Sequence, residues 1–263
     1  MVKNMDQKHF ETLKSRFNEY VNSFRDNDGN LHPMMQLKYE HSQRVANEAR
    51  EVAAALNWKE PELLMAEIIG LLHDVGRFSQ FQDFQTYCDS KSVNHGCRGF
   101  EVLAKSDWLT RLSQEENHVI LESVRLHNCH RLPTTMAKDL RLFVNLVRDA
   151  DKLDIFFVLN NAIEKDTLKN NPEIIWDLPQ NIPPSPVIIE DLRYHRQASY
   201  ENVKSQADFC LLQLCWIYDL NYAPTIKKVS ERKIVDRIVQ TLPASDVPKD
   251  AIQSLKQFLQ TAA

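Results

Sequence analysis

Apolar positions recur along this chain at helical spacing. Val45, Ala49, Val52 and Leu56 stand at intervals of four, three and four, which draws one face of a helix. His41 lies one turn before Val45 and extends that face. From Pro61 to about His73 the chain is apolar nearly all round, through Leu63, Leu64, Met65, Ala66, Ile68, Ile69, Leu71 and Leu72. That pattern predicts a central helix, and Pro61 is acceptable in its first turn. Ser113 to Glu116 reads as a capping box, and Ile120, Val124 and His127 share one face behind it. A further long helix carries Leu140, Val144, Val147, Asp151 and then Asp154 or Ile155 on one stripe. Strand-like alternation is scarce, so the expected fold class is all-α.

The pattern breaks over residues 166–195, where five of the 11 prolines fall: Pro172, Pro179, Pro183, Pro184 and Pro186. Proline removes a backbone donor and clashes inside a helix, so this stretch reads as a long loop, either a linker or a cover. Helical spacing resumes with Val203, Ala207, Cys210, Leu214 and Ile217, and shorter segments follow around 229–242 and 249–260. The expected organisation is a helical core over 1–165, a Pro-rich loop over 166–195, and C-terminal helices over 196–263 packed on the core.

Composition narrows the setting. A net charge of −4 gives no support for non-specific nucleic-acid or membrane binding. A phosphorylated small molecule stays compatible, because a metal can supply local positive charge. Cys88, Cys97, Cys129, Cys210 and Cys215 make an odd count without a Cys-x-x-Cys pair, which fits a reducing compartment. These cysteines are expected to be buried small hydrophobes. With no apolar leader and no membrane-length apolar run, the chain is expected to be soluble and cytoplasmic.

His41, His127 and Asp151 continue apolar stripes, so each needs an interior partner or pays desolvation. Together with His73, Asp74 and His95 they form a candidate ligand set of imidazoles and carboxylates, chemistry that suits Fe, Mn, Co, Ni or Zn. Adjacent His73 and Asp74 cannot share a helix face, but at a helix end both can turn toward one ion or two neighbouring ions, and Gly76 is expected to permit a sharp exit. Asp149 is expected to be solvated.

Three stretches carry a resemblance: His41 with Arg44 and Val45 in "YEHSQRVA", His73-Asp74 with Gly76 and Arg77 in "LLHDVGRF", and Ala150 to Leu153 in "RDADKLD". Over about residues 30–160 the chain resembles the HD-domain metal-dependent phosphohydrolases. The resemblance implies an HD-domain helical bundle, to which the periodicity beyond it adds C-terminal helices. It implies metal ligation by His41, His73, Asp74 and Asp151. His95 in "NHGCRGFEVL" and a histidine in "LHNCHRLP" resemble the further ligands of the dinuclear members. For the latter, His127 is preferred over His130 because it lies on the stripe with Ile120 and Val124. The set then implies two divalent transition-metal ions bridged by Asp74.

The implied activity is hydrolysis of a phosphoester or phosphoanhydride, of a nucleotide in the expected case, by metal-activated water. Arg77 and Lys152 stand beside ligands and are read either as phosphate-gripping groups or as salt-bridge partners, with Arg44 a weaker candidate. Asp154, one turn beyond Asp151, orients a ligand or pairs structurally. No substrate-specific branch signature is matched, and the sequence leaves the oligomeric state open. Two alternatives stand beside it: a mixed-valent di-iron oxygenase on the same fold, which shares the ligand set, and a non-enzymatic nucleotide or metal sensor, which loss of a ligand would support.

Overall fold

The computed structural model describes residues 5–164 and 178–262. Among the described residues every regular element is helical and none is a strand. The chain divides into two compact units, Met1–Asp151 and Lys152–Ala263. No helix among the described residues is long and apolar enough to cross a membrane.

The first unit holds α1 (Gln7–Asn22), α2 (Pro33–Ala55), α3 (Glu60–Leu72), α4 (Gly76–Phe84), α5 (His95–Lys105), α6 (Gln114–Leu126) and the first half of α7 (Lys138–Glu164). Helix α3 is its centre, packed against α1, α2 and α6. It buries residues on every side, as its all-round apolar sequence predicts; Ile68, Ile69 and Leu72 are at most 1% exposed. Each such side chain contributes about 2 kcal/mol by leaving water. Helices α2 and α3 approach closely at Gly70, where a Cβ would stand 2.9 Å from the Cα of Ala46. That close crossing sets His41 on α2 beside the end of α3.

Gly76 plays a different part from the expected one. Its backbone is not left-handed; the chain turns once after α3 and continues directly into α4. A Cβ here would overlap the carbonyl oxygen of His95 and come within 2.5 Å of the Gly99 nitrogen. Glycine is needed so that α4 and α5 can touch, which carries His95 to the end of α3. The capping box at the start of α6 forms as read: Ser113 Oγ accepts from the Glu116 backbone and Glu116 accepts from the Ser113 backbone at 3.0 Å.

The second unit contains α8 (Pro186–Arg193), α9 (Gln206–Trp216), α10 (Ala223–Glu231), α11 (Ile234–Gln240) and α12 (Lys249–Ala262). Helix α9 is buried along its whole length and meets α8 and α11. Of the expected Pro-rich loop over 166–195, residues 166–177, with Pro172, lie outside the described residues. The loop reading is corrected further on, because Pro186–Arg193 is helical. Pro186 sits in the first turn, where a missing N–H costs nothing, and the following Val-Ile-Ile supplies a buried face through Ile188. The expected helical segment over 229–242 is interrupted at Lys233, whose φ of 52° separates α10 from α11.

Candidate metal centre

Asp74 lies where α3 ends, 2% exposed, and its two carboxylate oxygens face different groups. Oδ2 stands 3.6 Å from His41 Nε2 and 3.6 Å from His73 Nε2. On the same side, Asp151 Oδ1 lies 3.1 Å from His41 Nε2 and 3.7 Å from His73 Nε2. Oδ1 stands 3.5 Å from His95 Nε2 and 3.7 Å from His127 Nε2. The two Nε2 atoms of His95 and His127 are 3.0 Å apart, and those of His41 and His73 are 3.2 Å apart. Donor atoms about 2.1 Å from a transition metal stand about 3.0 Å apart in octahedral and about 3.4 Å apart in tetrahedral coordination. The His95–His127, His41–His73 and His41–Asp151 separations fall in that range, and the remaining ones lie just beyond it. All six side chains belong to the first unit.

The tautomers sharpen the reading. His73 Nδ1 is 2.7 Å from the Gly70 carbonyl, and His127 Nδ1 is 2.7 Å from the Val124 carbonyl. His95 Nδ1 is 2.7 Å from Asp89 Oδ2. A carbonyl or carboxylate only accepts, so each of these Nδ1 atoms carries the proton and donates. A ring that carries this proton alone presents its Nε2 lone pair to the centre. His95 and His127 therefore face each other lone pair to lone pair in a buried space. Such an arrangement is repulsive unless a cation stands between the rings and Asp74. The donor set fits metal ions.

The electrostatics agree. Burial lowers His73 to about 4, even beside Asp74 and Asp151. Burial, helped by the Arg77 cation, lowers His95 to about 3. Both rings are thus neutral and open to a metal at neutral pH. Burial alone would raise the Asp74 carboxyl; Lys38, with Arg77, reverses this and holds it well below the usual carboxylate range. Asp151 is likewise held low against its burial, chiefly by the hydrogen bond from His41.

Two cations flank the centre. Lys38 Nζ is 2.9 Å from Asp74 Oδ2 and lies over the Tyr87 ring. Arg77 Nη1 donates to Asp89 Oδ1 at 2.9 Å, to Gln80 Oε1 at 2.9 Å and to the Tyr87 carbonyl at 2.6 Å. Its Nε is buried without a hydrogen-bond partner, 3.5 Å from Asp74 Oδ1, and its Nη2 is 3.4 Å from His95 Nε2. Sequence reading did not name Lys38, Tyr87 or Asp89. Lys38 had a usable signal, since it stands one turn before His41 on the same helix.

His130 is exposed, and the structure brings His127 into the cluster in its place. Lys152 belongs to the second unit, where its Nζ pairs with Asp219 Oδ2 at 2.7 Å. Asp154 is buried further along the same helix. Arg44 Nη1 stands 4.0 Å from Glu40 Oε2 at a half-buried position. Two expectations are corrected. Asp149 is fully buried, on a stretch of α7 where its neighbours Arg148 and Ala150 are buried too. Cys88 and Cys97 are exposed, because they lie on the short connection before α5 and on its outer face.

Comparison with known families places one match on the chain: a family model described as HD domain covers residues 39–155. That stretch includes all six clustered side chains. No curated protein and no solved structure matches the chain.

Proposed function

We infer that this chain, which belongs to the HD-domain family through residues 39–155, is a metal-dependent phosphohydrolase. Members of that family are mostly metal-dependent hydrolases. The observation that carries the reading is the division of Asp74, one carboxylate oxygen toward His41 and His73 and the other toward His95 and His127. In this reading His41, His73, Asp151 and Asp74 would hold one divalent ion, and His95, His127 and Asp74 would hold a second. When bound, such ions lower the pKa of a water and neutralise charge on phosphoryl oxygens.

The chain's own residues do the rest. The carbonyls of Gly70 and Val124 keep the imidazoles of His73 and His127 in the metal-binding tautomer. Lys38 pairs with Asp74 and would place a cation beside an anion bound at the centre. With two divalent ions, the positive charges together with Lys38 and Arg77 outweigh Asp74, Asp151 and Asp89. The centre then favours an anionic substrate, and we take a phosphoester or phosphoanhydride, such as that of a nucleotide, as its class. For Lys152 the pair with Asp219 supports the structural role over phosphate gripping. All five cysteines are free, which supports a reducing, intracellular setting.

The test is metal analysis of protein purified without chelator, combined with a phosphatase screen under anaerobic conditions in Mn²⁺ or Co²⁺. Phosphate release without oxygen supports the reading. Iron retention with oxygen consumption and no phosphate release would overturn it in favour of the di-iron oxygenase. Bound metal with no turnover of either kind would overturn it in favour of a sensor.

A further inference from the structure

The imidazoles of the centre are not anchored alike. His73 and His127 each donate to a carbonyl one turn back in their own helix. Those acceptors exist wherever the helix does. His95 opens α5, so no helical carbonyl stands one turn behind it. Its position at a helix N-terminus also lowers the basicity of the ring, because the dipole there opposes positive charge. A side chain from another segment supplies what the helix cannot. Asp89 Oδ2 accepts from His95 Nδ1 at 2.7 Å and from the His95 backbone nitrogen at 3.3 Å.

The carboxylate is itself held from several sides. Arg77 Nη1 and Gln80 Nε2 donate to its Oδ1 at 2.9 and 3.0 Å, and Asn128 Nδ2 donates to its Oδ2 at 3.3 Å. Gln80 also donates to Ser92 Oγ and to the Val93 carbonyl, which fixes the turn on which Asp89 sits. Two of these anchors neighbour ligands in sequence: Arg77 follows Asp74 by three residues, and Asn128 follows His127 directly.

We propose that Asp89 is the positioning residue that creates the second ion site, by fixing His95 in its Nδ1–H tautomer and enriching the charge on its metal-facing nitrogen. The inference rests on the two-ion reading above. It makes the two ions unequal. The first is held by ligands that Asp89 does not touch, and the second depends on a carboxylate whose side chain is 30% exposed. Loss of an outer-shell carboxylate of this kind typically weakens a metal site by roughly 10- to 100-fold.

The experiment titrates Mn²⁺ into metal-free wild type, Asp89→Ala and Asp89→Asn, and reads stoichiometry and chelator competition. Imidazole ¹⁵N spectra of the same metal-free proteins give the His95 tautomer. Asp89→Ala should bind the first ion as wild type does and the second roughly 10- to 100-fold more weakly. Asp89→Asn keeps an acceptor oxygen without the charge and should fall between the two. Wild-type His95 should carry its proton on Nδ1, and Asp89→Ala should shift it toward Nε2. Two ions held by both variants at wild-type affinity would overturn the proposal. So would equal loss of both ions in Asp89→Asn, or a wild-type His95 protonated on Nε2. A wild type that binds one ion would sink the two-ion reading, while the tautomer spectra still decide whether Asp89 sets His95.

Discussion

Asp74 in the first unit and Asp208 in the second are carboxylates buried to nearly the same degree, 2% and 0% exposed. Their surroundings differ in kind. Asp208 sits in the first turn of α9 among hydrogen donors: Ser185 N to Oδ1 at 2.5 Å, with Ser185 Oγ and Lys204 N to Oδ2, both at 2.9 Å. Its charge is satisfied by backbone and hydroxyl hydrogens, and it ties the segment before α8 to the start of α9. Asp74 sits among imidazole nitrogens, three of which belong to rings whose protons are committed elsewhere. Lys38 and Arg77 compensate its charge from one side, but the nitrogens converging on it bring lone pairs. Burial alone therefore says little about role. A buried carboxylate among donors is structural, whereas one among acceptors is arranged for a cation.

The largest expected effect separates the two directly. Asp74→Ala removes an oxygen from both half-sites, so metal affinity should fall by more than the roughly 10- to 100-fold seen when an outer partner is lost. Helical content by circular dichroism should persist, because Asp74 lies beyond the end of α3. Retention of two ions at wild-type affinity in this variant would remove the distinction drawn from its surroundings.

Acid should act on the first unit next. In the metal-free protein His73 and His95 titrate at about 4 and about 3, against an ordinary value of 6.5. The unfolded chain takes up these protons first, so stability is whole above pH 6.5 and declines as pH falls toward those values. Asp74 and Asp151, held low in the fold, lose their stabilising contribution at still lower pH. Urea unfolding at pH 7, 6 and 5 should show a progressive loss, on the order of 1.4 kcal/mol per pH unit for each such histidine. Saturating metal should oppose the loss, because the ion binds the folded state and competes with protons. A flat profile in metal-free protein would mean that these rings are not held neutral by burial.

Asp208→Ala should do the reverse of Asp74→Ala. It leaves the Ser185 and Lys204 donors without their acceptor, at a cost of about 2–4 kcal/mol in denaturant unfolding. Metal stoichiometry should not change, since Asp208 belongs to the second unit and the six clustered groups to the first.

What could be read from sequence follows the same division. Helices α2, α3, α6 and α7 announce themselves through apolar stripes, and the cluster was legible because His41, His127 and Asp151 interrupt those stripes where a polar group is costly. Asp89 and Tyr87 lie in the connection between α4 and α5, Asp89 in a single 3-10 turn, where no periodicity marks a position as facing inward. Helix α4 was hidden because Gly76 reads as a helix stop, whereas here it is a point of close approach. Helix α8 was hidden because Pro186 reads as a breaker, though a first-turn proline starts a helix. Asp208 had a local signal in Ser205, whose hydroxyl caps α9 by accepting from the Asp208 nitrogen at 3.0 Å. Its second partner, Ser185, is remote in sequence and could not be inferred from spacing.

That remote partner gives the smallest and sharpest test. Ser185→Ala deletes one donor to Asp208 and leaves two backbone donors, Ser185 N and Lys204 N, in place. The carboxylate stays mostly satisfied, so the loss should be close to that of one hydrogen bond, about 1.5 kcal/mol and not the full penalty of an unpaired buried group. Serine also precedes Pro186 at the start of α8 but makes no side-chain cap there, so no separate capping loss is expected. Denaturant unfolding of Ser185→Ala, Asp208→Ala and the double variant measures the coupling. The two single effects should not add, because once Asp208 is gone the Ser185 hydroxyl has lost its acceptor already. Strict additivity would mean that the hydroxyl and the carboxylate contribute independently, and that Asp208 is held by its backbone donors alone.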